Sequence, residues 1–219
     1  MSTKTHALDD DLHRYLLDHS TPADPVVADL MAQTRALFPD VVGLQIAPEQ
    51  ALFLTILTRL LGVRRAVEVG TFTGLSSLSI ALGMPVDGRL TCFDVSEEYT
   101  AVARRYWRRA GVADRVELRV GDAREQLRTL PAEPHLDLVF IDADKAGYPV
   151  YWAELVPRVR PGGVLLVDNI FQHGAVVDPA AQGGNVTAIR AFNQQVRADD
   201  RVELVILPIA DGLTVARRT

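Results

Sequence analysis

The stretch "LDLVFIDADKAGY" (136–148) carries an apolar run to a tip where Asp142, Asp144 and Lys145 fall within four positions. Its first part, "LDLVFI", does not alternate polar with apolar residues, and neither does "GVLLVD" (163–168). Runs of this kind read as strands buried on both faces, the signature of a parallel sheet wrapped by helices. Ligands of an open parallel sheet bind outside the carboxyl ends of its strands, so charged residues at those ends are candidates for chemistry.

The same rhythm extends in both directions from this stretch. After Gly62 short apolar runs alternate with helical patterns: "RAVEVG", "GLSSLSIALGM", "GRLTCFDV", "EEYTAVARRYWRRAG", "RVELRVG", "AREQLRTL", "YPVYWAELVPRV". A helical pattern, "VTAIRAFNQQVRAD", precedes two strand candidates in "RVELVILPIADGLTVARR"; the turn around Ala210, Asp211 and Gly212 predicts an antiparallel hairpin. Before Gly62, apolar residues recur at three and four residue spacings in three segments, with Pro25 and Pro48 placed for first helical turns. The expectation is an α/β fold of one domain over 1–219, with a helical prelude at 1–61 capping the acceptor side and a cofactor-binding core at 62–219.

At 219 residues, with 48% apolar and 23% charged side chains, the chain has globular composition. A net charge of −5 provides no basic field for nucleic acid, and the basic run "RRYWRR" (104–109) reads as a solvated helix face. Cys92 is the sole cysteine, which excludes an intramolecular disulfide and fits a reducing compartment. The start shows no apolar signal segment and no stretch has the length of a membrane span, so a soluble, cytoplasmic protein without nucleic acid or membrane partners is expected.

Four further strand tips carry polar residues. In "EVGTFTGLSSLSIAL" (68–82), Gly70 and Gly74 lie between strand and helix, where backbone can approach a ligand; the spacing is not that of a dinucleotide fingerprint. Asp94 ends "LTCFDV" and either accepts ribose hydroxyls or caps the helix that starts near Glu97. Asp122 and Ala123 end another strand and either flank an adenine ring or, for Asp122, cap a helix. Asp142 with Asp168 and Asn169 gives two carboxylates and a carboxamide on neighbouring tips, hard ligands suited to Mg²⁺.

The motifs "EVGTFTGLSSLSIAL", "FDVSEEY", "RVGDA", "FIDADKAGY", "RPGGVLLVDN" and "LPIADGLTVARR", with "LQIAPEQALFLTIL" in the prelude, together resemble the cation-dependent O-methyltransferases, the caffeoyl-CoA and catechol O-methyltransferase-like family, in its bacterial natural-product form. The resemblance implies a class I methyltransferase Rossmann-like sheet of seven strands, the last antiparallel, with S-adenosylmethionine as methyl donor, a divalent cation (Mg²⁺, or Mn²⁺ or Ca²⁺) and a homodimer. It assigns Glu68, Gly70, Thr71 and Ser76, beside Gly74, to the methionine moiety, Asp94 to the ribose and Asp122 with Ala123 to the adenine. Asp142 then touches both the cofactor and the metal, Asp168 and Asn169 complete the metal set, and Lys145 stands beside the reacting hydroxyl as a catalytic residue together with Asp142.

Departures from the family pattern concern the acceptor. After the metal asparagine, relatives often carry stretches such as "LWSGKV", whereas this chain has "FQHGAV" (171–176), and just before "IADGL" it reads "LVILP", without the glutamate of animal-type catechol O-methyltransferases. Ile46 and His173 are the candidate acceptor contacts, with Leu44 beside Ile46 in the prelude. The expected reaction is methylation of one hydroxyl of a catechol-type secondary metabolite. A caffeoyl thioester acceptor and a non-catalytic S-adenosylmethionine-binding protein are the alternatives.

Overall fold

The computed structural model describes residues 6–219, so the first five residues of the expected 1–61 prelude lie outside the described residues. Helix α1 (Asp10–Asp18) starts where the Asp9 carboxylate accepts the Leu12 N–H, and it buries no side chain. Helix α2 (Pro25–Leu37) begins with Asp24 as cap and Pro25 in its first turn, and turns Val27, Leu30 and Thr34 inward. A 3-10 segment (Pro39–Leu44) leads to α3 (Pro48–Leu60), which buries Gln50, Ala51, Leu54 and Thr58. The three expected helical segments are all present.

From residue 65 strands and helices alternate. They are β1 (Arg65–Val69), α4 (Leu75–Gly83), β2 (Arg89–Asp94), α5 (Glu97–Arg109), β3 (Val116–Val120), α6 (Ala123–Gln126), β4 (Leu136–Ile141), α7 (Tyr148–Leu155), β5 (Val159–Val167), α8 (Gly184–Arg197), β6 (Val202–Leu207) and β7 (Leu213–Arg218). Helix α5 explains the basic run: Tyr106 and Trp107 are buried, while Arg105, Arg108 and Arg109 stay at the surface. Its acidic first turn and basic last turn complement the helix dipole.

The seven strands form one sheet in the order β3-β2-β1-β4-β5-β7-β6. All neighbours pair in parallel except β7, which runs antiparallel to both β5 and β6, as the hairpin signal around Asp211 and Gly212 predicts. Leu138 and Phe140 of β4 join an apolar layer with α2, α3, α4 and α5; Val139 and Ile141 join a second layer with α7 and α8. The unbroken "LDLVFI" run is therefore explained by burial on both faces. Asp137, its polar exception, accepts the N–H groups of Arg64 and Arg65, each at 2.8 Å, and the Arg160 side chain at 2.6 Å.

The strand order sets the place of the site. From β1 the chain builds outward through β2 and β3, and from β4 it builds the other way through β5, so a crevice opens between the tips of β1 and β4.

Candidate active site

Beyond the regular ladder, backbone hydrogen bonds tie each tip to its neighbour. Gly70 N donates to Phe93 O at 2.9 Å, Asp142 N to Val69 O at 2.8 Å, Asp168 N to Ile141 O at 3.0 Å and Gly121 N to Asp94 O at 2.8 Å. Gly70 has φ +90°, and a Cβ there would lie 2.0 Å from the Asp142 carbonyl oxygen. Only glycine fits this crossing of chains. The tips floor a cavity of about 870 Å³, roofed on one side by Gly43–Ala47 and Gln50 from the prelude.

At the β4 and β5 tips, Lys145 Nζ donates to Asp142 Oδ1 at 3.2 Å, to Asn169 Oδ1 at 2.8 Å and to the hydroxyl of Tyr148. Tyr148 in turn donates to the Asp168 carbonyl oxygen at 3.0 Å. Burial raises the Asp142 carboxyl above its ordinary range despite the opposing Lys145 charge. Burial, and then the negative charge of Asp142, push Asp168 up to about 7 against the opposing Gln50 amide, Asn169 N–H and Lys145 ammonium. A buried carboxylate (Asp168), a partly exposed one (Asp142) and a carboxamide oxygen thus have one ammonium among them, which bonds Asp142 and Asn169. This donor set fits a divalent cation with oxygen ligands. Among the described residues no three Asp, Glu, His or Cys side chains converge as a metal-binding group; the candidate set of Asp142, Asp168 and Asn169 has two carboxylates and a carboxamide.

The other half of the cavity lies over β1, β2 and β3. Thr71, Ser76, Asp94, Asp122 and Ala123 line it with Gly70. Glu68 and Gly74 do not reach its wall. Glu68 is fully buried behind Thr71, whose hydroxyl donates to Glu68 Oε2 at 2.9 Å, and Gly74 caps α4 with φ +90°. Burial raises Glu68 to about 7 against the Ser76 and Thr71 hydroxyls. Asp94 accepts the Thr71 and Phe72 N–H groups on Oδ2 and the Ser96 N–H on Oδ1, each at 2.8 Å, and thereby fixes the glycine loop; Ser96, not Asp94, caps α5. Asp122 caps α6 through the Arg124 N–H at 2.8 Å while still facing the cavity.

Beyond β5 the wall comprises His173, Asn185, Ala210 and Asp211, facing Leu44 and Ile46 across the opening. Ile46 is buried, whereas the His173 side chain is 96% exposed and its backbone N–H donates to Asp211 at 2.7 Å. Phe72, Asn169, Gln172, His173 and Ala210 are the described non-glycine residues with positive φ, and all but Gln172 line the cavity. Strained backbone of this kind gathers at functional sites.

Tyr148, buried behind the cavity floor, escapes the sequence reading. Tyr148 stands three positions after Lys145, a spacing that brings the two together on one helical turn. Asp144 accepts from Arg124 and from Tyr151, which makes it a rim partner of those two residues. Gln50 stands within the motif "LQIAPEQALFLTIL" but receives no role from the sequence reading.

A family model described as O-methyltransferase matches residues 17–219. A Dictyostelium discoideum protein named probable caffeoyl-CoA O-methyltransferase 2 is 40% identical over 205 residues, spanning 92% of this chain and 88% of its own. The crystal structure of the O-methyltransferase TomG from Streptomyces achromogenes, involved in tomaymycin synthesis and in complex with SAM, is 31% identical with a TM-score of 0.85, covering 95% of this chain and 96% of that one. An O-methyltransferase from Bacillus cereus in complex with SAH is 30% identical with the same TM-score of 0.85, covering 95% and 97%.

Proposed function

As a member of the O-methyltransferase family the chain is an S-adenosylmethionine-dependent O-methyltransferase, and we propose that it methylates one hydroxyl of a small catechol-type acceptor with the help of a divalent cation. The observation that carries this reading is the meeting of Asp142, Asn169 and Lys145 at one point on the floor of the cavity.

S-adenosylmethionine supplies an electrophilic methyl group on a sulfonium. In this reading the Gly70–Thr71 backbone, Ser76, Asp94 and the Asp122–Ala123 turn hold it over β1, β2 and β3, with Glu68 bracing Thr71 from behind. A cation held by Asp142, Asp168 and Asn169 supplies Lewis acidity that favours the ionised form of a phenol whose ordinary pKa is about 10. Lys145 Nζ, as the free amine, would take up the hydroxyl proton and become the ammonium that Asp142, Asn169 and Tyr148 hold. The enclosing walls exclude water and fix the acceptor for an in-line approach.

Beyond Lys145, the acceptor half formed by Leu44, Ile46, His173, Asn185, Ala210 and Asp211 contains no lysine or arginine. That lining supports a free phenolic compound, in keeping with the involvement of the Streptomyces relative in tomaymycin synthesis. A caffeoyl thioester is the second reading. It is favoured by the name of the Dictyostelium relative, but among the described residues the acceptor-side lining offers its phosphates no lysine or arginine beyond Lys145.

The test is turnover of S-adenosylmethionine with a catechol panel and caffeoyl-CoA, with Mg²⁺, without it and with EDTA. Catechol methylation that needs Mg²⁺ and is lost in Asp142→Ala is the expected result. Metal-independent turnover would sink the role given to Asp142, Asp168 and Asn169, and preference for the thioester would sink the free-catechol reading.

A further inference from the structure

The 3-10 segment Pro39–Leu44 and the residues that follow it bring Leu44, Gln45 and Ile46 to the wall of the cavity. The segment buries no side chain, and Leu44 is 56% exposed, so apolar packing does little to hold it in place. It is fastened instead at its two ends, and both ends meet the glycine loop after β1. At one end Phe38 packs against Phe72, with ring centroids 6.1 Å apart, and edge-on against Tyr99 at 5.0 Å. At the other end Gln45 Nε2 donates to Thr34 Oγ1 at 2.9 Å and to Thr73 Oγ1 at 3.3 Å. Thr34 and Thr73 are both 0% exposed and their hydroxyls lie 2.9 Å apart, so the amide closes on a pair of polar groups shielded from water. Phe72 and Thr73 are consecutive residues of the loop that lines the cofactor half, and Phe72 holds a positive φ there. Gln45 thus reaches into the cofactor loop with its side chain while its chain neighbours Leu44 and Ile46 face the acceptor half.

We propose that Gln45 is a positioning residue for methyl transfer: through Thr73 it fastens the acceptor wall of Leu44 and Ile46 to the glycine loop, so that a cofactor settling on that loop also steadies the wall that holds the acceptor. This inference rests on the glycine loop as the seat of the cofactor and on the prelude as the acceptor wall; it needs neither a particular acceptor nor a cation. Binding that orders a loosely held element lowers the ordering penalty for the ligand that binds next, and hydrogen exchange reports that ordering directly.

The experiment follows amide hydrogen exchange of the full chain, without acceptor or metal, with and without S-adenosylhomocysteine, in wild type and in Gln45→Met. Methionine keeps the length of the side chain and removes the amide, and Gln45→Ala serves if the methionine variant fails to fold. In wild type the ligand is expected to slow exchange over 70–76 and also, by about fivefold or more, over 41–47, the lower end of ordinary coupling between sites. In the variant the slowing over 41–47 should fall below about twofold, while the slowing over 70–76 and the Kd for S-adenosylhomocysteine stay within about twofold of wild type. Slowing over 41–47 that survives in the variant overturns the role of Gln45 and leaves the Phe38 end to hold the segment. Slowing over 70–76 alone in wild type overturns the coupling itself. A variant that loses affinity for S-adenosylhomocysteine overturns the proposal in favour of a role in packing or in cofactor contact. If the ligand binds wild type and slows neither stretch, the glycine loop is not its seat, and the inference falls with that reading.

Discussion

Lys145 is the single side chain on which the proposed chemistry turns, because its Nζ touches Asp142, Asn169 and Tyr148 at once. Lys145→Met keeps much of the stem and removes the nitrogen. The expected outcome is a fall in kcat of about 10²- to 10⁴-fold, the usual worth of a positioned proton acceptor, with the Kd for S-adenosylhomocysteine unchanged in calorimetry. A variant with wild-type kcat would remove Lys145 from the mechanism. Sequence alone singles out Asp142, Asp168 and Asn169, because residues at strand tips are placed by the strands themselves, and the family resemblance adds Lys145. The sequence does not show Tyr148 Oη bridging Lys145 to the Asp168 carbonyl, since that contact depends on how α7 docks against β5. Nor does it show that Asp94 holds the Thr71 and Phe72 N–H groups, which follows from the path of the loop after Gly70.

Two elements carry predictions of their own. Where α8 turns into β6, Asp199 accepts from Trp152 Nε1 of α7 at 2.8 Å and from the Arg201 side chain at 2.8 and 2.6 Å. The Arg201 hydrogen bond, reinforced by Trp152, holds the Asp199 carboxyl well below the ordinary carboxylate range. A depressed folded pKa contributes stability that is complete above the unfolded value near 4 and is lost as pH falls through the folded value. Asp199→Asn is therefore expected to cost about 1–3 kcal/mol in urea unfolding at pH 7, with the deficit against wild type shrinking as pH falls from 5 towards 2. A deficit independent of pH would mean that shape, not charge, matters at this turn. On the other side of α8, Arg190 donates to the carbonyls of Val176, Ala181 and Ala175 at 2.9, 2.7 and 2.8 Å, and to that of Asp178. It thereby ties down the loop that follows His173. Arg190→Leu should lower kcat/KM for the acceptor by about 10- to 100-fold through misplacement and speed amide exchange over 174–181, while S-adenosylhomocysteine affinity is kept. The elements themselves were legible because strands buried on both faces and helices with capping residues leave local signals. A clasp such as Arg190, whose partners are backbone carbonyls up to fifteen residues away, leaves none.

At the scale of the molecule, the prelude expected to cap the acceptor side of a single domain also enters its core. Helices α2 and α3 do not merely cover the acceptor opening. Leu30 and Leu54 are 0% exposed within the apolar layer that also holds Leu138 and Phe140 of β4. Thr34 of α2 donates to Thr73 of the glycine loop at 2.9 Å, with both residues buried. Helix α1 differs: it buries nothing, and its side-chain link to the rest is His13 to Glu49 at 3.3 Å. The family model, too, begins only at residue 17. A chain starting at residue 21 should therefore melt cooperatively within about 1 kcal/mol of the full chain and keep its affinity for S-adenosylhomocysteine. A chain starting at residue 45 loses Val27 and Leu30, each worth roughly 1.5–3 kcal/mol of burial, and uncovers the residues they protect. Against a total stability of about 5–15 kcal/mol, that loss should abolish a cooperative melt and cofactor binding together. Differential scanning calorimetry of the two truncations decides the matter. A folded, cofactor-binding chain from residue 45 would make the prelude a detachable cap, whereas its collapse makes α2 and α3 part of the core on which the site is built.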